Sequence, residues 1–203
     1  MSKKIILLAS GNGSNVENIC HFFKQNLEVQ ILEVYTNNHD AGVLKRIKPF
    51  GLKGYIFNKA TFNNGDVLKE IKKQQPDLIV LAGFLWKIGV DWIDAFPLKI
   101  INIHPSLLPK YPGLDTHLKV IENKDSIHGV SIHYVSNELD AGPLIAQATI
   151  KTKDKEAIED LIERVHTAEH KIFPKVIKLI CDDQIVLNSE KVIFHDLKTN
   201  GVH

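Results

Sequence analysis

Cysteine is scarce in this chain. Its 203 residues hold two, Cys20 and Cys181, far apart and without metal-ligand spacing. That excludes a disulfide scaffold or a cysteine metal site and leaves two reduced, buried thiols as the expectation. An excess of either charge is missing too: 25 Lys and Arg face 24 Asp and Glu, for a formal net charge of +1. Nucleic-acid binders carry a marked basic excess, so no nucleic-acid partner is expected and the ligand is read locally. No apolar run is long enough to span a bilayer, so no membrane partner is expected. The opening "MSKKIILLAS" has the lysines and apolar run of a signal peptide. The run is only strand-length, however, and it leads into a patterned loop. The composition therefore suits a cytoplasmic protein folded as one domain over 1–203.

What is present is an alternation. "KIILLAS" (4–10), "VQILEVYTN" (29–37), "KGYIFNK" (53–59), "DLIVLAGF" (77–84) and "LKIINIH" (98–104) read as strands. The first and fourth are apolar throughout, as strands buried on both faces are. Between them, "SNVENICHFFKQ" places Val16, Ile19, Cys20 and Phe23 at helical spacing, and "AGVLKRIKPFG" is a helix ended by Pro49 and Gly51. "GDVLKEIKKQQP" is a helix stopped by Pro76, and "GVDWIDAF" is a short one. This order predicts an α/β protein with a Rossmann-like, mostly parallel sheet in the N-terminal half. In the second half "HGVSIHYV" and "GPLIAQATIKT" have no helix between them and should pair antiparallel through "SNELDA". A long helix over about 155–182 follows, which Pro174 should kink or divide. "QIVLNSEKVIFHD" reads as a hairpin around Asn188–Glu190.

Four segments carry candidate chemistry. "SGNGSN" (10–15) lies between the first strand and the first helix. Its glycines allow close backbone approach, and the exposed amides and helix dipole favour an anion. It lacks a third glycine and a P-loop lysine, so a single phosphate fits better than a dinucleotide. The plain alternative is a glycine turn with Ser14 as helix N-cap. "IINIHPSLLPKYPG" (100–113) ends a strand with Asn102 and His104, two apart and so on one side. An amide there can bind an oxyanion and an imidazole can move a proton. Pro105, Pro109 and Pro112 stiffen the loop beyond. A strand-end histidine with a purely local partner is the alternative. In "ELDAGP" (138–143), Asp140 either serves its own turn or raises the pKa of His104. In "RVHTAEH" (164–170), His166, Glu169 and His170 share a helix face. The order H-x-x-E-H is similar to an inverted zincin motif, but no third ligand is evident, so no metal is expected.

Taken together, "SGNGSN", "LAGF", "NIHPSLLPKYPG", "HGVSIHYVSNELDAGP" and "RVHTAEH" resemble, in this order and over nearly the whole chain, the phosphoribosylglycinamide formyltransferase branch of the folate-dependent formyltransferase family. The Asn-x-His-x-Ser core is common to that family, and "LLPKYPG" is more specific to the purine-pathway branch. The resemblance implies formyl transfer from 10-formyltetrahydrofolate, a co-substrate, to the amine of glycinamide ribonucleotide. It divides the domain into a phosphate-binding half (1–100) and a catalytic, folate-binding half (101–203). Asn102, His104 and Asp140 match the catalytic trio. Gly13, Ser14 and Asn15 match the phosphate binders, His166 faces the phosphate, and Glu169 matches the ribose binder. Leu85, Trp86, Lys87 and Ile88, with Asn102 and with Asn137, Glu138, Leu139 and Asp140, match the folate side. Asp140 is expected to hold His104 as imidazolium near neutral pH. The expected assembly is a monomer or weak homodimer.

The chain departs from the family at two places. Family members often have an Arg near the start of the third helix, and here Gly65 stands near that place with Lys59 and Lys69 nearby. Some relatives have His where Asp115 stands, so Asp115 is given no catalytic role, and His117 stays a candidate neighbour of the site. Three other functions fit parts of the pattern. A deformylase or sugar-nucleotide formyltransferase would keep the trio and change the acceptor. A non-catalytic nucleotide binder would need only "SGNGSN". A zinc hydrolase would use His166 and His170.

Overall fold

In the computed structural model, which describes residues 2–188 and 191–194, a seven-stranded sheet runs across both halves of the chain. Its strands are β1 (Lys3–Leu8), β2 (Val29–Thr36), β3 (Gly54–Ile56), β4 (Leu78–Leu81), β5 (Ile100–His104), β6 (Ile127–Tyr134) and β7 (Leu144–Lys151), in spatial order β3-β2-β1-β4-β5-β6-β7. The first five are parallel; β6 is antiparallel to β5, and β7 to β6. The predicted parallel half continued by antiparallel strands is thus the observed architecture.

The apolar run of β1 explains its central place. Ile5 and Leu7 belong to one core cluster, Ile6 and Leu8 to another. Successive side chains leave a strand on opposite faces, so β1 needs cover on both. One face is covered by α1 (Ser14–Phe23) and α7 (Ile158–Cys181), which supply Ile19, Phe23, Phe173 and Ile177. The other is covered by α3 (Lys59–Asn63), α4 (Asp66–Gln74) and α5 (Val90–Ala95), with Phe62, Leu68, Ile71 and Trp92.

Two helical segments differ from the reading of the sequence. "AGVLKRIKPFG" forms only a four-residue helix, α2 (Val43–Arg46), and a separate 3-10 turn at Lys48–Phe50. Pro49 lacks the amide hydrogen that would have continued the helix. Pro174 does not divide α7, which is continuous for 24 residues. A proline removes the hydrogen bond to the carbonyl four residues earlier, here that of His170. Asn18 of α1 takes the place of the missing donor: its Nδ2 donates to the His170 carbonyl at 2.8 Å.

The elements α3 and α6 (Thr116–Glu122) carry too few apolar positions to announce themselves. Phe62 alone is buried in α3, whose start is fixed by the Asn58–Thr61 capping box. Only Thr116 and Val120 are buried in α6. Near the C-terminus β8 (Ile185–Asn188) pairs antiparallel with β9 (Lys191–Phe194), as expected of the hairpin. The hairpin turn, residues 189–190, and His195 lie outside the described residues. Among the described residues no helix is long and apolar enough to cross a membrane.

The strand order reverses beside β1. The chain leaves β1 for β2 and β3, then returns to β4 on the other side. Ligands of open parallel sheets bind in the crevice that such a reversal opens beyond the strand carboxyl ends. The 10–15 loop and the segment after β4 both begin there.

Candidate active site

β5 delivers Asn102 and His104 at its carboxyl end. Asp140 arrives in the connection between β6 and β7, with φ 52°, and its Oδ2 accepts the Gly113 N–H at 2.8 Å. His104 Nδ1 lies 3.4 Å from Asp140 Oδ2, and each side chain is only 7% exposed. Asn102 is linked to them through a residue with no sequence signal of its own, His133. The antiparallel register sets His133 opposite Asn102. Its Nε2 is 3.2 Å from Asn102 Nδ2 and 3.6 Å from Asp140 Oδ1, and its Nδ1 is 2.9 Å from the Tyr134 carbonyl. A carbonyl only accepts, so Nδ1 is the donor there. Nε2 then accepts one Asn102 amide proton, which orients the amide and leaves its second N–H for a ligand. The β5–β6 pairing that brings the two together joins segments that no local sequence pattern links.

The electrostatics correct one expectation. His104 is not held as imidazolium in the free protein. Burial is the largest influence and lowers its pKa; the Tyr111 carbonyl and Asp140 raise it, His133 and Lys119 lower it further, and the net is below the ordinary value. Asp140 alone does not outweigh the loss of water around the ring. Asp140 itself is also buried, which raises its carboxyl. The Gly113 N–H that it accepts, with the His133 and His104 rings beside it, brings it below the usual range, so it is a carboxylate.

A recess opens beside these groups. Leu85, Trp86, Lys87 and Ile88 line one side, and Glu138, Leu139 and Asp140 another; Asn102 and His133 also face it. Leu85 and Leu139 are 69% and 55% exposed, an apolar mouth on an otherwise polar rim. Asn137 does not join this wall and lines a separate hollow with Lys87–Val90. The Leu85 N–H donates to Ser10 Oγ at 2.9 Å, tying the segment to the end of β1. Trp86 both lines the recess and packs edge-on against Phe57 and Phe62. Of the two lysines near the family's Arg position, Lys69 is paired with Asp66, whereas Lys59 Nζ stands 5.3 Å over the Trp86 ring.

At the end of β1, Gly13 has φ 79° and a Cβ there would lie 2.5 Å from the Val43 side chain, so only glycine lets α2 pack so close. Gly13, not Ser14, is the N-cap of α1; Ser14 is the first helical residue, and no side chain caps the helix. The first-turn amides and the positive end of the dipole are therefore left for an anion. Arg46, from α2, donates through Nε to the Asn12 carbonyl at 2.9 Å and pairs with Glu17. Nothing in the sequence pattern marked it.

Asn15 and Glu169 meet across the two helices. Asn15 Nδ2 donates to Glu169 Oε2 at 2.8 Å, both residues are buried, and Asn15 Oδ1 has no partner. Burial pushes the Glu169 carboxyl up, opposed by the Asn15 bond and the field of His166. His166 is exposed on the same helix. Glu169 is engaged with Asn15, and among the described residues no three His, Cys, Asp or Glu gather as metal ligands. Asp115 is the N-cap residue of α6 at φ 61° and makes no side-chain cap bond, while His117 Nδ1 lies 3.0 Å from His128 Nε2; burial, and then the fields of His166 and His104, lower the His117 pKa, which places it beside the site.

Comparison with known proteins gives a consistent result. The family model described as Formyl transferase matches residues 3–177. The chain is 37% identical over 190 residues to the phosphoribosylglycinamide formyltransferase of Escherichia coli (strain K12), covering 91% of this chain and 90% of that protein. It is 36% identical over 183 residues to the protein of the same name from Bacillus subtilis (strain 168), covering 87% and 93%. The crystal structure of glycinamide ribonucleotide transformylase 1 from Symbiobacterium toebii is similar with a TM-score of 0.91 at 28% identity, covering 96% of this chain and 95% of that one.

Proposed function

Since this chain belongs to the formyl transferase family, we propose that it transfers the formyl group of 10-formyltetrahydrofolate to the amine of glycinamide ribonucleotide, a step of purine biosynthesis. The observation that carries the reading is the convergence of Asn102, His104 and Asp140, of which Asn102 and Asp140 line one recess.

The donor's pteridine enters the recess between Leu85–Ile88 and Glu138–Asp140, bringing the formyl carbon to Asn102. The acceptor's phosphate lies on the first-turn amides of α1 at Gly13, Ser14 and Asn15, with the His166 ring facing it. Glu169 accepts the ribose hydroxyls. The amine nitrogen attacks the formyl carbon and the carbonyl π pair moves to oxygen. The free N–H of Asn102 donates to that oxyanion. His104, neutral in the free protein, takes the amine proton at Nδ1. The resulting imidazolium lies between the Tyr111 carbonyl and the Asp140 carboxylate, and it stabilises the oxyanion beside it. Collapse reforms the carbonyl, breaks the carbon–N10 bond, and returns the proton to N10 of the leaving tetrahydrofolate. No resident metal enters these steps. The chain acts as one cytoplasmic domain, monomeric or weakly dimeric.

The test is 10-formyltetrahydrofolate consumption with and without glycinamide ribonucleotide. Consumption that depends on the ribonucleotide supports transfer; equal consumption without it would make the protein a hydrolase. Asn102→Ala and His104→Ala should each lower kcat by about a hundred- to a thousandfold, the usual cost of one oxyanion donor. Asp140→Asn should lower kcat and move its pH profile. Near-normal turnover in all three would sink the mechanism.

A further inference from the structure

The loop after β5 curls back on the histidine that precedes it. His104 Nε2 is 2.9 Å from the carbonyl of Tyr111, seven residues on. Since a carbonyl only accepts, Nε2 must carry a proton, and Nδ1 is left as the ring's basic edge toward Asp140. Tyr111 presents this carbonyl from φ 57°, a left-handed backbone that a side chain disfavours. Something must hold it there. The phenol does so from the far side: Tyr111 Oη donates to Asp125 Oδ2 at 2.8 Å.

Asp125 is itself anchored. Its backbone N–H donates to Val120 of α6 at 3.0 Å, its carbonyl accepts from the Thr152 hydroxyl just past β7, and its carboxylate also binds Lys110 Nζ at 2.6 Å. The rest of the loop is pinned from below. Ser106 Oγ donates to the Lys110 carbonyl at 2.6 Å, and the Leu108 N–H donates to Ser131 Oγ at 2.9 Å.

We propose that the Asp125–Tyr111 pair is a positioning device that fixes the tautomer of His104, keeping its proton on Nε2 so that Nδ1 is the base. The inference rests on the catalytic reading of His104 above. Without the phenol–carboxylate bond, Tyr111 relaxes from its left-handed backbone and turns its carbonyl away. The neutral ring then also populates the Nδ1–H tautomer, whose proton is drawn to Asp140. That form cannot accept the amine proton at Nδ1.

The experiment uses Tyr111→Phe in the full chain, which keeps the ring and removes only the hydroxyl. Nitrogen-15 spectra of the His104 ring, assigned against His104→Ala, report the tautomer. The expected result is a mixed tautomer, kcat lowered roughly tenfold for loss of one positioning bond, and KM for both substrates unchanged. Asp125→Asn, which retains an oxygen to accept the phenol proton, should keep most of the activity. Asp125→Ala should match Tyr111→Phe, and the double variant should be no worse than either. Should Tyr111→Phe fail to fold, Asp125→Ala removes the same bond and is read the same way. Wild-type kcat in Tyr111→Phe overturns the proposal, and so does a lowered kcat with the Nε2–H tautomer intact. Near-normal turnover in His104→Ala would instead sink the catalytic reading, and the tautomer measurement would still judge the pair.

Discussion

His128 shows how one side chain sets a pH limit on the fold. It is 1% exposed, and its pKa is pushed down to about 4, first by burial and then by His117. The unfolded chain takes this proton near the ordinary value of about 6.5. Between those two values the unfolded state binds more protons, so stability falls as pH falls. Full stability is present above about pH 6.5 and this share is gone by about pH 4, at most about 3 kcal/mol. Urea midpoints measured across that range should decline with acid, and His128→Asn should flatten the decline. An unchanged slope would mean another group controls it. Lys59 gives a second prediction at this scale. Its ammonium stands over Trp86 at the recess wall, while Lys69 is tied to Asp66. Lys59→Ala should raise the folate KM a few-fold, consistent with a surface cation–π contact of about 0.5–1 kcal/mol, and Lys69→Ala should not.

Among elements, the contact of α1 with α7 is open to a direct test. The His170 carbonyl that Pro174 leaves without its helical donor is satisfied by Asn18. Asn18→Ala should therefore destabilise the protein by about 1–2 kcal/mol, the cost of orphaning a partly buried carbonyl. In a Pro174→Ala background the helix supplies its own N–H, and the same substitution should cost much less. A double-mutant cycle in urea measures the difference, and strict additivity would refute the account. The β6–β7 connection is equally constrained. A Cβ at Gly142 would lie 1.8 Å from the Tyr134 carbonyl, two residues from Asp140. Gly142→Ala should displace that turn and lower kcat even where the protein stays folded. These cases also show what a sequence can tell. β1 and β4 were legible because burial on both faces demands unbroken apolar runs, and Asn102 and His104 because a two-residue step on a strand shares one side. α3 and α6 were not, since they bury one or two residues each. His133 and Arg46 gain their roles from register and packing across distant segments, which no local pattern encodes. The charge state of His104 is not legible, because sequence shows the partner Asp140 but not the burial that outweighs it.

At the scale of the whole molecule, the proposed reading sets the two ends of the acceptor at different strands. The 10–15 loop follows β1, Asn102 and His104 end β5, and β4 separates them. Two strand spacings are about 10 Å, a distance a ribose and its glycinamide arm can bridge. On that reading the two ligands have largely separate supports. Thermal midpoints should rise with glycinamide ribonucleotide alone and with a non-reactive folate alone, and the two shifts should roughly add. No shift with the ribonucleotide until folate is present would contradict separate supports. β4 contributes only Leu78–Leu81 and no polar side chain to the chemistry, yet its width fixes the gap. On the proposed reading the apolar strand works as a gauge: an acceptor without its phosphate is one unit too short to be gripped at one end while its nitrogen reaches the other.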